Sequence, residues 1–234
     1  REEFVAPAQR FMPLPQEGDP EQLAMVTVNP LTAHLMLRMT ELQEGDWLIQ
    51  SAANSAVGEF VIQLAARRGL KTINVVRRSS LIPQLKAKGA DVVLLQSERL
   101  EQDIREFIGD VPLRFAIDAV GGKVFSSLLA SLSPGGTIVS YGVMSMKPSV
   151  LDLKEVIFRD LSVRGFWLSQ WFQKASDQEK QAAFGEVISL ISSGAIKAEI
   201  DSRFPLDEIR SAVARTSTPD RKGKVLLVPE FVGS

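Results

Sequence analysis

The sequence predicts an α/β fold built on a doubly wound, six-stranded parallel sheet. Three observations carry this. Short apolar, β-rich runs alternate with helical patterns from residue 46 to residue 168, as parallel strands joined by right-handed crossovers require. Residues 46–78, DWLIQSAANSAVGEFVIQLAARRGLKTINVVRR, form one strand–loop–helix–strand unit with a small-residue loop at its turn. Turn residues punctuate the alternation: Gly69 and Gly89 end the first two helices, and Pro134-Gly135-Gly136 precedes the fifth strand.

The elements follow in order. The opening REEFVAPAQRFMPLP is strand-like, broken by prolines, and reads as the tail of something, so an N-terminal part is expected to be missing from this chain. Residues 20–39 read as helical, with a break at Asn29-Pro30 because the residue before a proline avoids helical geometry. Strands are expected at 47–51, 72–76, 91–95, 114–119, 136–142 and 161–167, and helices at 56–68, 79–88, 98–108, 122–132 and 152–158. Six such strands match the order 3-2-1-4-5-6 of a Rossmann sheet. Beyond Ser169 the pattern predicts an amphipathic helix at 177–192, an extended segment at 196–204, a short helix at 206–214 and a strand at 224–228. These last strands are expected to pair with the missing N-terminal segment.

With 234 residues, the chain is long enough to bury a substantial core. Lys+Arg 27 against Asp+Glu 28 argues against a nucleic-acid or other polyanion binder. No apolar run approaches the about 18 residues of a membrane span. The first residues of this sequence do not read as a charged-then-apolar signal segment. Cysteine is absent, which excludes disulfides, a thiolate zinc site and a cysteine nucleophile within these residues. A reducing cytoplasm is compatible. The single histidine, His34, reads as a helix-surface residue rather than a catalyst, since catalysis needs a positioned partner.

The loop after the first strand carries the first functional signal. In the frame G-x-G-x-x-G the chain has Ala53, Ser55 and Gly58, so only the last glycine survives. That glycine permits close helix–strand packing, and Ala and Ser still let backbone N–H groups approach a phosphate at the helix N-terminus. An ordinary small-residue turn is the alternative.

The second strand sharpens the reading. A site for NAD places an acidic residue about 20 positions beyond the last glycine, on the ribose 2′-hydroxyl. Here 77 − 58 = 19, and the position is Arg77, followed by Arg78 and Ser79. Guanidinium groups bind a 2′-phosphate that a carboxylate would repel. NADPH is therefore favoured over NADH, against the alternative of two solvated charges at a strand end.

Ligands of open parallel sheets sit beyond the carboxyl ends of the strands. That nominates Asp118 to Gly122, then Tyr141-Gly142-Val143-Met144, then Gly165-Phe166-Trp167-Leu168. Each has a structural alternative: Asp118 as a helix cap, Tyr141 as a strand aromatic, and the 166–171 aromatics as core or interface.

These residues resemble the medium-chain dehydrogenase/reductase superfamily and, within it, the 2-enoyl thioester (trans-2-enoyl-CoA) reductases. The carriers are Asn29-Pro30-Leu31-Thr32-Ala33, Ala53-Asn54-Ser55-Ala56-Val57-Gly58, Ile73-Asn74-Val75-Val76-Arg77, Val120-Gly121-Gly122-Lys123 and Arg164-Gly165-Phe166-Trp167-Leu168-Ser169-Gln170-Trp171. The resemblance implies a Rossmann domain with remnants of a GroES-like catalytic domain at both ends, divided as 1–29, 30–168 and 169–234. It implies NADP(H) as cofactor. Asn29 would lie beside the nicotinamide with Thr32 near it; Asn54, Ser55, Ala56, Val57 and Gly58 would hold the pyrophosphate; Arg77, Arg78 and Ser79 would take the 2′-phosphate. Tyr141, Gly142, Val143 and Met144 with Phe166, Trp167 and Leu168 would line the nicotinamide. Lys224 matches a family cofactor contact or is a solvated lysine. Ala56 stands where the family usually has Gly, and Arg78 where an acidic residue is common.

The catalytic tyrosine of the resembled family belongs to the N-terminal domain, so no catalytic residue is expected here and Tyr141, the chain's only tyrosine, is not given that role. The implied reaction is hydride transfer from NADPH to the β-carbon of an enoyl thioester. Trp167, Trp171 and Phe172 would wall an acyl channel or simply pack. A homodimer through the edge strand 161–165 is also implied, with a cytoplasmic location, or mitochondrial in a eukaryote. A quinone or alkenal reductase and a non-catalytic NADPH-binding module are the competing readings.

Overall fold

The structure, a computed structural model, describes residues 5–7, 11–218 and 221–229. The chain divides into two units, residues 27–187 and residues 1–26 with 188–234.

The larger unit is the expected doubly wound sheet. Its strands are β1 (Trp47–Gln50), β2 (Lys71–Val76), β3 (Val92–Leu95), β4 (Leu113–Asp118), β5 (Thr137–Ser140) and β6 (Ser162–Gly165), hydrogen-bonded in the order β3-β2-β1-β4-β5-β6. All neighbours are parallel. The helices are α2 (Asn29–Leu37), α3 (Ala56–Arg67), α4 (Ile82–Ala87), α5 (Leu100–Ile108), α6 (Gly122–Ser131), α7 (Leu153–Phe158), α8 (Leu168–Lys174) and most of α9 (Asp177–Ser192).

Burial on both faces explains why β2 and β4 are apolar along most of their length rather than strictly alternating. Ile49, Ile73, Val75 and Ala116 share one core with Ile104 of α5 and Leu128 of α6. On the other face Val76 and Ala53 pack with Ile62 of α3 and Leu85 of α4. Gly69 and Gly89 close α3 and α4 with φ of 67° and 100°, a region that only glycine enters without cost.

One local reading is placed more finely and two change. The expected break falls at residues 24–28, just before Asn29, and Pro30 sits in the first turn of α2, where a proline needs no backbone N–H. The helix expected at 79–88 begins as a 3-10 turn, Ser79–Leu81, before α4. His34 is not on a helix surface. Its side chain is only 2% exposed, and Nε2 lies 3.3 Å from Glu186 Oε2 without hydrogen-bond geometry.

In the smaller unit, α1 (Pro20–Leu23) precedes β7 (Ile200–Pro205), α10 (Ile209–Thr216) and β8 (Lys224–Val228). β7 and β8 pair with each other in parallel. Gln22 clamps the unit through its amide, donating to Ala198 O at 3.0 Å and accepting from Ala198 N–H at 2.9 Å. Arg215 grips Asp201 through two donors at 2.7 and 2.6 Å.

Candidate cofactor site

The carboxyl ends of β1, β2, β4, β5 and β6 deliver their loops to one edge of the sheet. β1 leads into the loop 51–55. Ser55 ends it as the N-cap of α3, and its Oγ accepts the Gly58 N–H at 3.1 Å. The first-turn amides of Ala56 and Val57 have no carbonyl within the helix to pair with and point past its N-terminus, where a 12-residue helix also presents its positive dipole end. Ala52 takes a φ of 47°, the left-handed region that alanine enters at a cost. Asn54 is exposed, while Ala53 and Gly58 are buried against each other.

β2 ends at Val76, and the two residues beyond it, Arg77 and Arg78, are exposed, as is Ser79 at the start of the 3-10 turn. Five consecutive buried residues, Thr72 to Val76, fix the strand, so the arginines leave the fold at a defined point. They stand one strand over from the N-terminus of α3.

The end of β4 carries Asp118, fully buried and satisfied. Its Oδ1 accepts from Ser51 Oγ at 2.6 Å and from the Val120 N–H at 3.1 Å, and its Oδ2 accepts from the Gly121 N–H at 2.8 Å. Ser51 Oγ in turn accepts the Ala119 N–H at 2.9 Å. This carboxylate thus shapes the turn before α6 and ties it to the β1 loop. Sequence reading did not single out Ser51; a small polar residue directly after an apolar strand was the available signal.

Beyond β5, Tyr141 comes near the same loop, close enough for the Ser55 hydroxyl to act on its phenol. Burial raises its pKa, the Ser55 hydroxyl opposes that, and the nearby Asp118 carboxylate adds to the rise. The phenol therefore stays protonated at neutral pH. Gly142 packs on Ala119, where a β-carbon would sit 2.9 Å from the carbonyl oxygen. Val143 and Met144 follow, each 63% exposed.

Beyond β6, the Phe166 N–H donates to Ser140 O at 2.9 Å, Trp167 is 66% exposed, and Leu168 begins α8. Phe166, Trp167 and Trp171 line a cavity of about 570 Å³ with Leu35, Arg38 and Ala183. Phe172 packs instead between Trp171 and Phe184, at ring centroid distances of 5.3 and 6.0 Å. Asn29 opens α2 and is half-buried, and Thr32 is buried one turn on. Lys224 belongs to the smaller unit, where it opens β8 and its N–H donates to Glu199 O at 2.7 Å.

An α3 N-terminus with open amides, a glycine packed on backbone and two arginines beyond β2 fit a phosphorylated dinucleotide. This is a doubly wound nucleotide-binding fold of the dehydrogenase class. The family model described as zinc-binding dehydrogenase matches residues 56–192, and the chain belongs to that family, within the medium-chain dehydrogenase/reductase superfamily. The mitochondrial enoyl-[acyl-carrier-protein] reductase of Dictyostelium discoideum is 36% identical over 97% of this chain and 66% of its own length. The chain spans about 53–66% of the length of the curated relatives that it matches over most of its own length. A mycobacterial quinone oxidoreductase superposes with a TM-score of 0.85 at 25% identity, covering 92% of this chain and 67% of that one. A complex described as Etr1p/NADP/crotonyl-CoA superposes with a TM-score of 0.74 at 25% identity, covering 82% of this chain and 58% of that one.

The zinc in the family's description does not fit the residues present. Among the described residues no group of three His, Cys, Asp or Glu side chains is placed to hold a metal ion. The sole histidine is buried beside Glu186.

Proposed function

We propose that this chain is the cofactor-binding part of an NADPH-dependent reductase that acts on the conjugated double bond of a 2-enoyl thioester. One observation carries the cofactor reading: Arg77 and Arg78 emerge together, exposed, beyond β2 and beside the N-terminus of α3. Amides of the 54–58 turn would take the pyrophosphate, and the arginines with Ser79 the 2′-phosphate. Residues 141–144 and 166–168 would wall the nicotinamide end, with Asn29 beside it. Lys224 is proposed as a further cofactor contact.

NADPH would supply the hydride, received at the β-carbon of the substrate. The residues of this chain bind, orient and shield; the proton donor is proposed to lie outside it. Trp167 and Trp171 would form part of the acyl wall, supported by the cavity that they line. Phe172 is left as packing. The substrate class rests on the names of the sequence relatives.

A quinone reductase is the second reading, favoured by the higher TM-score of the quinone oxidoreductase. Full-length protein assayed by NADPH oxidation separates them: crotonyl-CoA turnover supports the first, and turnover of a quinone alone rejects it. No NADPH binding would reject both.

A homodimer is proposed through β6, whose four residues are all exposed at the sheet edge. A monomer in sedimentation would refute it. Location is proposed as mitochondrial if the source is eukaryotic, cytoplasmic otherwise. Among the described residues no helix is long and apolar enough to cross a membrane.

A further inference from the structure

Two fully buried amides meet across the β1–β2 ladder. Gln50 ends β1 and Asn74 sits in the middle of β2, both with no exposed surface. They face the same side of the sheet as α3, paired in register across the β1–β2 ladder. A buried amide in a strand is costly unless its groups are paired, so its partners reveal what it is for.

Gln50 Nε2 donates to the Gly58 carbonyl at 2.9 Å and to Asn74 Oδ1 at 2.8 Å. Asn74 Nδ2 donates to Thr72 Oγ1 at 2.9 Å, Thr72 O at 3.3 Å and Val92 O at 3.0 Å. The direction of every bond is locked. Asn74 must turn its nitrogen toward the carbonyls of β2 and β3, which leaves its oxygen toward Gln50. Gln50 must then present its nitrogen to two acceptors. Its own Oε1 is buried with no hydrogen-bond partner among the described residues. Reversing the amide would bring that oxygen against Gly58 O and Asn74 Oδ1, which is worse.

The chain of bonds ends on the third residue of α3. Gly58 is pinned at both its polar groups, N–H to Ser55 Oγ and C=O to Gln50 Nε2. The first turn of α3, whose amides aim past the helix end, is thereby fastened to β1, and through Asn74 to β2 and β3.

We propose that Gln50, held by Asn74, is a positioning residue for the phosphate-binding turn. It sets the depth of the α3 N-terminus relative to the sheet, and so the placement of the Ala56 and Val57 amides against a pyrophosphate. The requirement is for a donor, which is why an amide fits and a carboxylate does not. This inference rests on the dinucleotide reading of the site.

The test uses full-length protein, with NADPH and 2′-AMP as probes. The 2′-AMP probe carries the phosphate assigned to Arg77 and Arg78 but no pyrophosphate. Gln50→Met keeps the volume and removes the donor; Gln50→Glu keeps the shape and reverses the polarity. Both are expected to weaken NADPH at least tenfold, Glu more than Met, while 2′-AMP binding stays within twofold. Should either variant fail to fold, Asn74→Val, which suits a strand and frees the Gln50 amide, is expected to show the same selective loss.

Unchanged NADPH affinity in the folded variants overturns the proposal. So does an equal loss for both probes, which would mark the pair as merely structural. Failure of the unmodified protein to bind NADPH would overturn the dinucleotide reading itself, and this inference with it.

Discussion

Gly58 stands against Ala53 so closely that a β-carbon added to it would lie 2.6 Å from the Ala53 carbonyl oxygen. The obstacle is backbone, which cannot swing aside as a side-chain tip would. Gly58→Ala should therefore push α3 off the β1 loop, at about 1–3 kcal/mol for overpacking. For a chain of this size that lowers Tm by about 2–4 °C per kcal/mol. A thermal melt and an NADPH titration check it, with at least a tenfold affinity loss expected. A variant that binds NADPH normally would show that the turn is not the cradle.

On the proposed reading, Arg77 provides the discrimination between dinucleotides. Arg77→Asp removes a charge-assisted contact of about 1.5–3 kcal/mol and sets a carboxylate against the 2′-phosphate. NADPH affinity should fall about 10- to 100-fold, with NADH little changed or improved. Parallel titrations decide, and equal losses would remove Arg77 from that role.

Behind the site, Lys88 Nζ lies 2.6 Å from Glu59 Oε2, with the two side chains only 13% and 14% exposed. Gln84 Nε2 donates to the other Glu59 oxygen at 3.3 Å. The pair joins the first turn of α3 to the end of α4. Glu59→Gln would leave the lysine charge poorly solvated and cost about 1–3 kcal/mol, most of it recovered by adding Lys88→Met. Urea unfolding of the two single variants and the double variant measures the coupling; strict additivity would contradict it.

His34 gives the fold a pH dependence. Burial holds its pKa below the usual histidine value, Glu186 opposes this, and Arg68 and Arg38 act in the same direction as burial. The unfolded chain takes up the proton near pH 6.5, before the folded one does. The contribution to stability is thus complete above about pH 6.5 and declines as pH falls toward the lower folded value. Denaturant midpoints measured from pH 7.5 to 5 should fall more for the native sequence than for His34→Gln. Parallel curves would exclude the linkage.

Much of the architecture could be read locally. The alternation of β-rich and helical runs, with glycines at the α3 and α4 ends, foreshadows the strand order that is observed. The spacing from Gly58 to Arg77 locates the arginines, because one helix and one strand span a fixed distance along the chain. Gln50 and Asn74 were not legible in this way, since nothing nearby in sequence says that two amides meet across a ladder. His34 reads differently for the same reason: α2 packs on α3 and Glu186 of α9 lies beside the ring, and an isolated helix does not predict its neighbours.

The order of residues was therefore enough for the sheet, the small-residue turn and the cationic pair beyond β2, all of which depend on short-range geometry and steric freedom. Which polar groups lie inside, and which carbonyls they hold, emerged only once distant strands and helices had packed. Burial and hydrogen-bond direction are properties of that packing, and they fasten the Gly58 turn to the sheet.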